Sequence, residues 1–144
     1  MNRQSTRELI RQLNSGELSA TQLTQACIDR IAALNGELNA FVDVDAEGAL
    51  QQASEIDRRR SLGERVGRLA GLPIGIKDNI CQLNRPTTCG SRMLKDFRPP
   101  YDAHVVERIR AEDGVIIGKL NQDEFAMGSS TETSVFGPAR NPWN

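Results

Sequence analysis

Apolar positions in the first third of the chain recur at helical spacing. Leu9, Ile10 and Leu13 share one face. Ser5 and Glu8, three residues apart, have the form of a capping box in front of that run, and Gly16 is its expected stop. Ser19 with Gln22 repeats the device, and Leu23, Cys27, Ile31 and Leu34 follow on one face until Asn35-Gly36, where the helix is expected to end. Asp45 is placed to cap a third helix whose inward side would carry Ala46, Ala49, Leu50, Ala53 and Ile56. Arg58, Arg59 and Arg60 fall at the end of that helix, where cations complement the partial negative charge of the last carbonyls. A solvated helix end is therefore favoured there over an anion site.

The pattern changes near residue 61. SLGERVGRLAG is a glycine-punctuated connector, and LPIGIKDN is a short apolar run bounded by turn residues, hence a buried strand. CQLNRPTTCGSRMLKDFRPPY has no clear period and holds Pro86, Pro99 and Pro100; it predicts a long ordered loop with a short helix near Ser91–Leu94. Asp102 is expected to cap a helix bearing Val105, Val106 and Ile109, with Gly114 as its terminator, and VIIG (115–118) is a second buried strand. Strand, helical connection, strand is the pattern of an α/β fold with a largely parallel sheet. The final stretch, NQDEFAMGSSTETSVFGPARNPWN, crowds small polar residues between Phe125 and Phe136. It has no terminal helix or polar tail, the form expected of an interrupted sequence.

Composition narrows the class. A chain of 144 residues suffices for one domain with a core, and its 38% hydrophobic and 26% charged content is ordinary globular usage. A net charge of -1, from 18 Lys+Arg against 19 Asp+Glu, lacks the basic footprint of a nucleic-acid binder; a small acidic or neutral substrate or a protein partner fits better. Cys27, Cys81 and Cys89 have no paired spacing, and the single His104 adds no zinc pattern, so reduced thiols and no metal are expected. No long apolar run suggests a membrane span, and MNRQSTRELI lacks the form of a targeting segment, so the cytoplasm is the expected compartment.

Two places carry candidate chemistry. Lys77 closes an apolar run and is followed by Asp78. Either it reaches water or pairs, with Asp78 the nearest carboxylate, or burial makes its neutral amine available as a base. An ordinary lysine pKa of about 10.4 makes the neutral form cost roughly 4.6 kcal/mol at pH 7, and a shift of ~3 units would remove most of that. Ser129-Ser130-Thr131 follow Gly128 and could include a nucleophile, but the G-x-S-x-G elbow is absent. With no His partner the serine needs another base, and lysine is a known alternative; a polar turn binding its own backbone is the other reading. The residues alone leave both questions open.

LAGLPIGIKDNI, PTTCGS, PPYDAHVVERI and VIIGKLNQDEFAMGSSTETSVFGPARNPWN, in this order, resemble the front portion of the amidase signature family. The similarity is dense over 69–144, and the helical lead-in also fits. It implies an α/β fold in which a mixed central sheet is wrapped by helices. The chain would supply the N-terminal portion of a single amidase domain, 1–60 as helical lead-in and 61–144 as the start of the core. The resemblance also implies a Ser–cis-Ser–Lys triad with Lys77 as its lysine. Lys77 would take a proton from a bridging serine, which activates a nucleophilic serine, and backbone N–H groups would stabilise the oxyanion. Both serines belong to glycine- and serine-rich segments expected after Asn144, so this chain by itself is expected to be inactive. Ser129 and Ser130 do not replace them; Gly128, Ser129 and Ser130 are instead candidate substrate-binding residues.

Within the family, the last run is nearest to the glutaminase subunits that serve tRNA-dependent amidation. That implies glutamine as ammonia donor, Glu-tRNA(Gln) converted to Gln-tRNA(Gln), and a heterotrimer completed by B and C subunits. ATP and Mg would be used in a partner, and no cofactor would be held in this chain. The alternatives are an amide hydrolase of the same family that acts without tRNA, and a non-catalytic interaction module.

Overall fold

A computed structural model describes residues 4–143. Its elements run α1 (Thr6–Ser15), α2 (Ala20–Leu38), β1 (Phe41–Val44), α3 (Ala46–Ser61), β2 (Pro73–Lys77), α4 (His104–Ala111) and β3 (Val115–Leu120), with short 3-10 turns at Arg92–Leu94 and Glu124–Ala126. The strands form one sheet in the order β1-β3-β2. β1 is antiparallel to β3, pairing Phe41 with Leu120, Asp43 with Lys119 and Val44 with Gly118 around an irregularity. β2 runs parallel to β3: Val115 N–H donates to Leu72 C=O (2.9 Å) and, further along both strands, Asp78 N–H donates to Leu120 C=O (3.0 Å). The sheet is thus mixed rather than largely parallel. Its unforeseen strand, FVDV, is only four residues long and carries Asp43.

The chain divides into two compact units. One comprises the residues up to Arg30, Asp45–Ile74 and Arg108–Ile117. Its core holds Leu13, Leu23, Ala49, Ala53, Ile56, Val115 and Ile116. The caps expected from sequence form here. Ser5 Oγ accepts from Glu8 N–H (3.3 Å), and Gly16 takes the left-handed conformation (φ 75°). Ser19 and Gln22 satisfy each other's backbone N–H at 3.0 and 3.1 Å, and Asp45 accepts from Gly48 N–H (3.1 Å). A further cap comes from α3, whose Asp57 carboxylate accepts from the N–H groups of Ala20 and Thr21 at 2.8 and 2.9 Å.

α3 ends on Arg58–Arg60 as expected, but that end is only partly solvated. Arg58 is exposed and pairs with Glu55 (2.7 Å), but Arg59 grips Asp113 (2.7 Å) and Arg60 donates to the carbonyls of Leu13 and Ala70. Burial lowers the Arg60 pKa. The cations serve as ties between segments, because backbone carbonyls of neighbouring turns lie within reach of the helix end.

The second unit comprises Ile31–Val44, Gly75–Glu107 and the residues from Gly118 on. α2 does not stop at Asn35-Gly36 but continues to Leu38. The Asn35 side chain instead brackets β1, donating to Phe41 C=O (2.9 Å) and accepting from Phe41 N–H (2.8 Å), and Asn39 (φ 50°) supplies the left-handed stop. At α4, Ala103 C=O accepts the first helical bonds and the Asp102 carboxylate accepts from Leu83 N–H (2.7 Å). At the other end of α4, in the first unit, Asp113 (φ 58°) makes the left-handed turn one residue before Gly114. Among the described residues, no helix is long and apolar enough to cross a membrane.

Candidate active site

The site lies in the second unit, at the end of β2. Strand alternation sends successive side chains to opposite faces, so Lys77 is exposed while Ile76 and Asp78 are buried. Among the described residues, no hydrogen bond or ion pair engages the Lys77 ammonium. The pair with Asp78 that the sequence left open does not form. The Asp78 carboxylate accepts instead from Thr88 N–H (3.2 Å), Thr88 Oγ1 and Gly90 N–H (3.3 Å), with the ammonium of Lys119 at 3.8 Å.

Lys119, on β3, is the buried lysine, with 0% of its surface exposed. Its Nζ donates to Ile80 C=O (2.8 Å), Pro86 C=O (3.1 Å) and Thr87 Oγ1 (3.0 Å). Burial lowers its pKa, against the pull of the Asp78 carboxylate. Burial likewise pushes up the Cys89 thiol, and the Asp78 charge adds to the shift. The two charged groups fasten the 80–90 loop, and that loop is fastened in turn to the last part of the chain. Ser91 Oγ donates to Glu124 (2.6 Å), Phe125 N–H to Cys89 C=O (2.8 Å) and Val135 N–H to Gly90 C=O (2.8 Å). Gly90 is needed at that crossing: its φ is +66°, and a Cβ would stand 2.8 Å from Gln122 C=O.

A cavity of about 210 Å³ opens beside the lysine, lined by Lys77, Asn121, Gln122, Asp123, Ala126, Gly128, Ser129 and Thr131. The structure therefore brings Lys77, Gly128 and Ser129 to one place. Ser130 is outside the lining; its N–H donates to Asp123 (3.2 Å). The sequence reading missed the organiser of this segment. The buried Asp123 carboxylate accepts from the N–H groups of Ser130, Thr131 (2.9 Å) and Thr133 (3.3 Å), and from Thr133 Oγ1 (2.9 Å). The Thr131 N–H, followed by the Thr133 and Ser130 donors against the effect of burial, holds the Asp123 pKa below the usual carboxylate range. Asn121 does similar work one step earlier, donating to the carbonyls of Asn39 (3.0 Å) and Gly137 (2.9 Å). The signal was available: Asn and Asp directly after an apolar strand, followed by a Ser/Thr cluster, are residues that turn the backbone by accepting its N–H groups.

Chemically, the cavity offers a solvent-facing amine, a hydroxyl at Ser129 and backbone N–H groups. Among the described residues, no group of three His, Cys, Asp or Glu could hold a metal ion. The Amidase family model matches residues 22–144, and the chain belongs to that family.

Within the family, the likenesses can be ordered. The A-subunit of the Chlamydia pneumoniae glutamyl-tRNA(Gln) amidotransferase is 53% identical over 144 residues, all of this chain and 29% of that protein. The chain thus spans under a third of that relative's length. Among solved structures, a bacterial aryl acylamidase of the amidase signature enzymes superimposes with a TM-score of 0.91 at 31% identity, over 98% of this chain and 30% of that one. The A-subunit of the Thermotoga maritima glutamyl-tRNA(Gln) amidotransferase gives 0.73 at 36% identity, over 94% of this chain and 27% of the other.

Proposed function

We propose that this chain is the N-terminal portion of the glutamine-hydrolysing subunit of a glutamyl-tRNA(Gln) amidotransferase, a single amidase domain whose remaining strands and serines lie in further sequence. The observation that carries the reading is the identity with the Chlamydia A-subunit across the whole chain. In the proposed reaction a serine Oγ attacks the side-chain amide carbon of glutamine and gives its proton, through a bridging serine, to Lys77 Nζ. The C–N bond breaks, the proton returns to the departing nitrogen, and ammonia leaves behind a glutamyl ester that water hydrolyses. Gly128 and Ser129 would hold the substrate beside Lys77, with Ser130, outside the cavity lining, supporting them through its bond to Asp123. The ammonia would pass to glutamyl-tRNA activated with ATP and Mg in a partner, within a cytoplasmic heterotrimer completed by B and C subunits.

A second reading, an amide hydrolase that needs no tRNA, is favoured by one observation: the backbone matches the aryl acylamidase more closely than the Thermotoga protein. Assaying the full-length protein with and without its partners separates the two. Amidotransferase function requires ammonia release from glutamine coupled to amidation of Glu-tRNA(Gln). Partner-independent hydrolysis of simple amides without amidation supports the second reading. In either case Lys77→Ala is expected to lower turnover by roughly 100- to 10,000-fold, the usual contribution of a general base, with assembly intact. Near-normal ammonia release from that variant would refute the base assignment.

A further inference from the structure

Residues 123–133 are built around one carboxylate. Four donors from three residues converge on Asp123, two on each oxygen: the N–H groups of Ser130 and Thr131 on Oδ2, and the N–H and Oγ1 of Thr133 on Oδ1. The segment that reaches this arrangement is strained, since Phe125, Ala126 and Thr131 all have positive φ, at 52°, 60° and 60°. Gly128 has no room for a side chain, because a Cβ there would lie 2.3 Å from Asp123 Cγ. With the amides of Ser130, Thr131 and Thr133 turned to Asp123, no acceptor among the described residues takes the N–H of Gly128 or of Ser129, and both residues line the Lys77 cavity.

We propose that Asp123 is a positioning residue: its buried carboxylate draws in the amides of Ser130, Thr131 and Thr133, and thereby fixes the unpaired Gly128 and Ser129 N–H groups toward the substrate beside Lys77. This rests on the glutaminase reading for its kinetic test, but not for its structural one. An asparagine at 123 keeps the shape and offers one oxygen, so its NH₂ must face either the two amides at Oδ2 or the Thr133 N–H at Oδ1.

In the full-length protein, assembled with its partners, Asp123→Asn is expected to raise the glutamine KM at least tenfold while kcat changes less than threefold. Hydrogen exchange should show lost protection at the Ser130, Thr131 and Thr133 amides. A general loss of structure would lower kcat and protection throughout. Unchanged protection at the three amides, or an unchanged KM with protection lost, overturns the proposal. Should Asp123→Asn fail to assemble, Thr133→Val removes only one of the four donors and is expected to raise KM in the same direction; no rise overturns the proposal. A wild-type enzyme that hydrolyses no glutamine sinks the functional reading alone. The three-amide exchange pattern then decides the positioning role, with equal protection in wild type and Asp123→Asn refuting it.

Discussion

Replacing Lys119 with methionine keeps most of the side-chain volume and removes the ammonium. The Nζ group is fully buried and makes three hydrogen bonds, to Ile80 C=O, Pro86 C=O and Thr87 Oγ1. Thr87 can rotate its hydroxyl, but the two carbonyls have no such recourse, and each orphaned acceptor costs ~1–3 kcal/mol. Asp78 keeps its donors from Thr88 and Gly90 while losing the nearby positive charge. Relief of the lysine's own burial offsets part of these losses. The net destabilisation expected is about 3–5 kcal/mol, the usual effect of breaking a buried pair. The assay is equilibrium urea unfolding of the full-length protein, followed by circular dichroism. Asp78→Asn provides the control: in the Lys119→Met background it removes the stranded charge, so the double variant should be more stable than the two single effects predict.

The pH dependence has a definite sign. Because burial lowers the Lys119 pKa, the unfolded chain binds this proton more tightly than the folded one. The wild-type advantage over Lys119→Met should therefore grow as pH rises through the folded value, and level off near the ordinary lysine pKa of about 10.4. A loss below ~1 kcal/mol, or a double variant with strictly additive effects, would refute the view that this pair holds the 80–90 loop.

Asp113→Ala removes the carboxylate that holds Arg59 and Gly67 N–H. It should cost ~1–3 kcal/mol at neutral pH, measured by thermal unfolding. Burial tends to raise the Asp113 pKa, but the Arg59 and Gly67 hydrogen bonds more than reverse this. The stability it confers is thus present above the ordinary aspartate value of about 3.9 and lost as pH falls through the lower folded value, so an acid titration should close the gap between wild type and variant. Asp57→Ala strips two backbone donors at the start of α2 of their acceptor and should cost ~1 kcal/mol in the same thermal assay, a typical cap loss.

What the sequence showed of the fold was mostly local. Caps at Ser5, Ser19 and Asp45 need only a side chain and an N–H three residues on, and both short apolar runs became strands. Features set by distant partners were hidden. α2 runs past Gly36 because Asn35 binds across to Phe41, which no periodicity reveals. β1 exists because β3 offers it an edge, and four residues with an Asp among them carry too little pattern to announce a strand. The ties made by Arg59 and Arg60 stay hidden for the same reason, since Asp113 and Leu13 are far from them in sequence.

The site shows the same division, sharpened by two lysines. Lys77 draws attention in the sequence because it interrupts an apolar run, whereas Lys119 passes as one polar position in VIIGKL. Alternation decides otherwise: Lys77 points to the cavity and water, and Lys119 points inward, where Asp78 and three oxygen acceptors make a buried ammonium tolerable. The desolvation first sought at Lys77 belongs to Lys119, whose bonds are all directed at holding the loop. A relay through Lys77 must therefore take its dry surroundings from groups outside the described residues. The proposed serine segments would meet that demand if they pack over the 210 Å³ cavity. They would then meet a surface already arranged by Asp123, with Gly128 and Ser129 beside the amine. On the proposed reading, the placement of Lys77 and of these backbone donors is this chain's share of the chemistry.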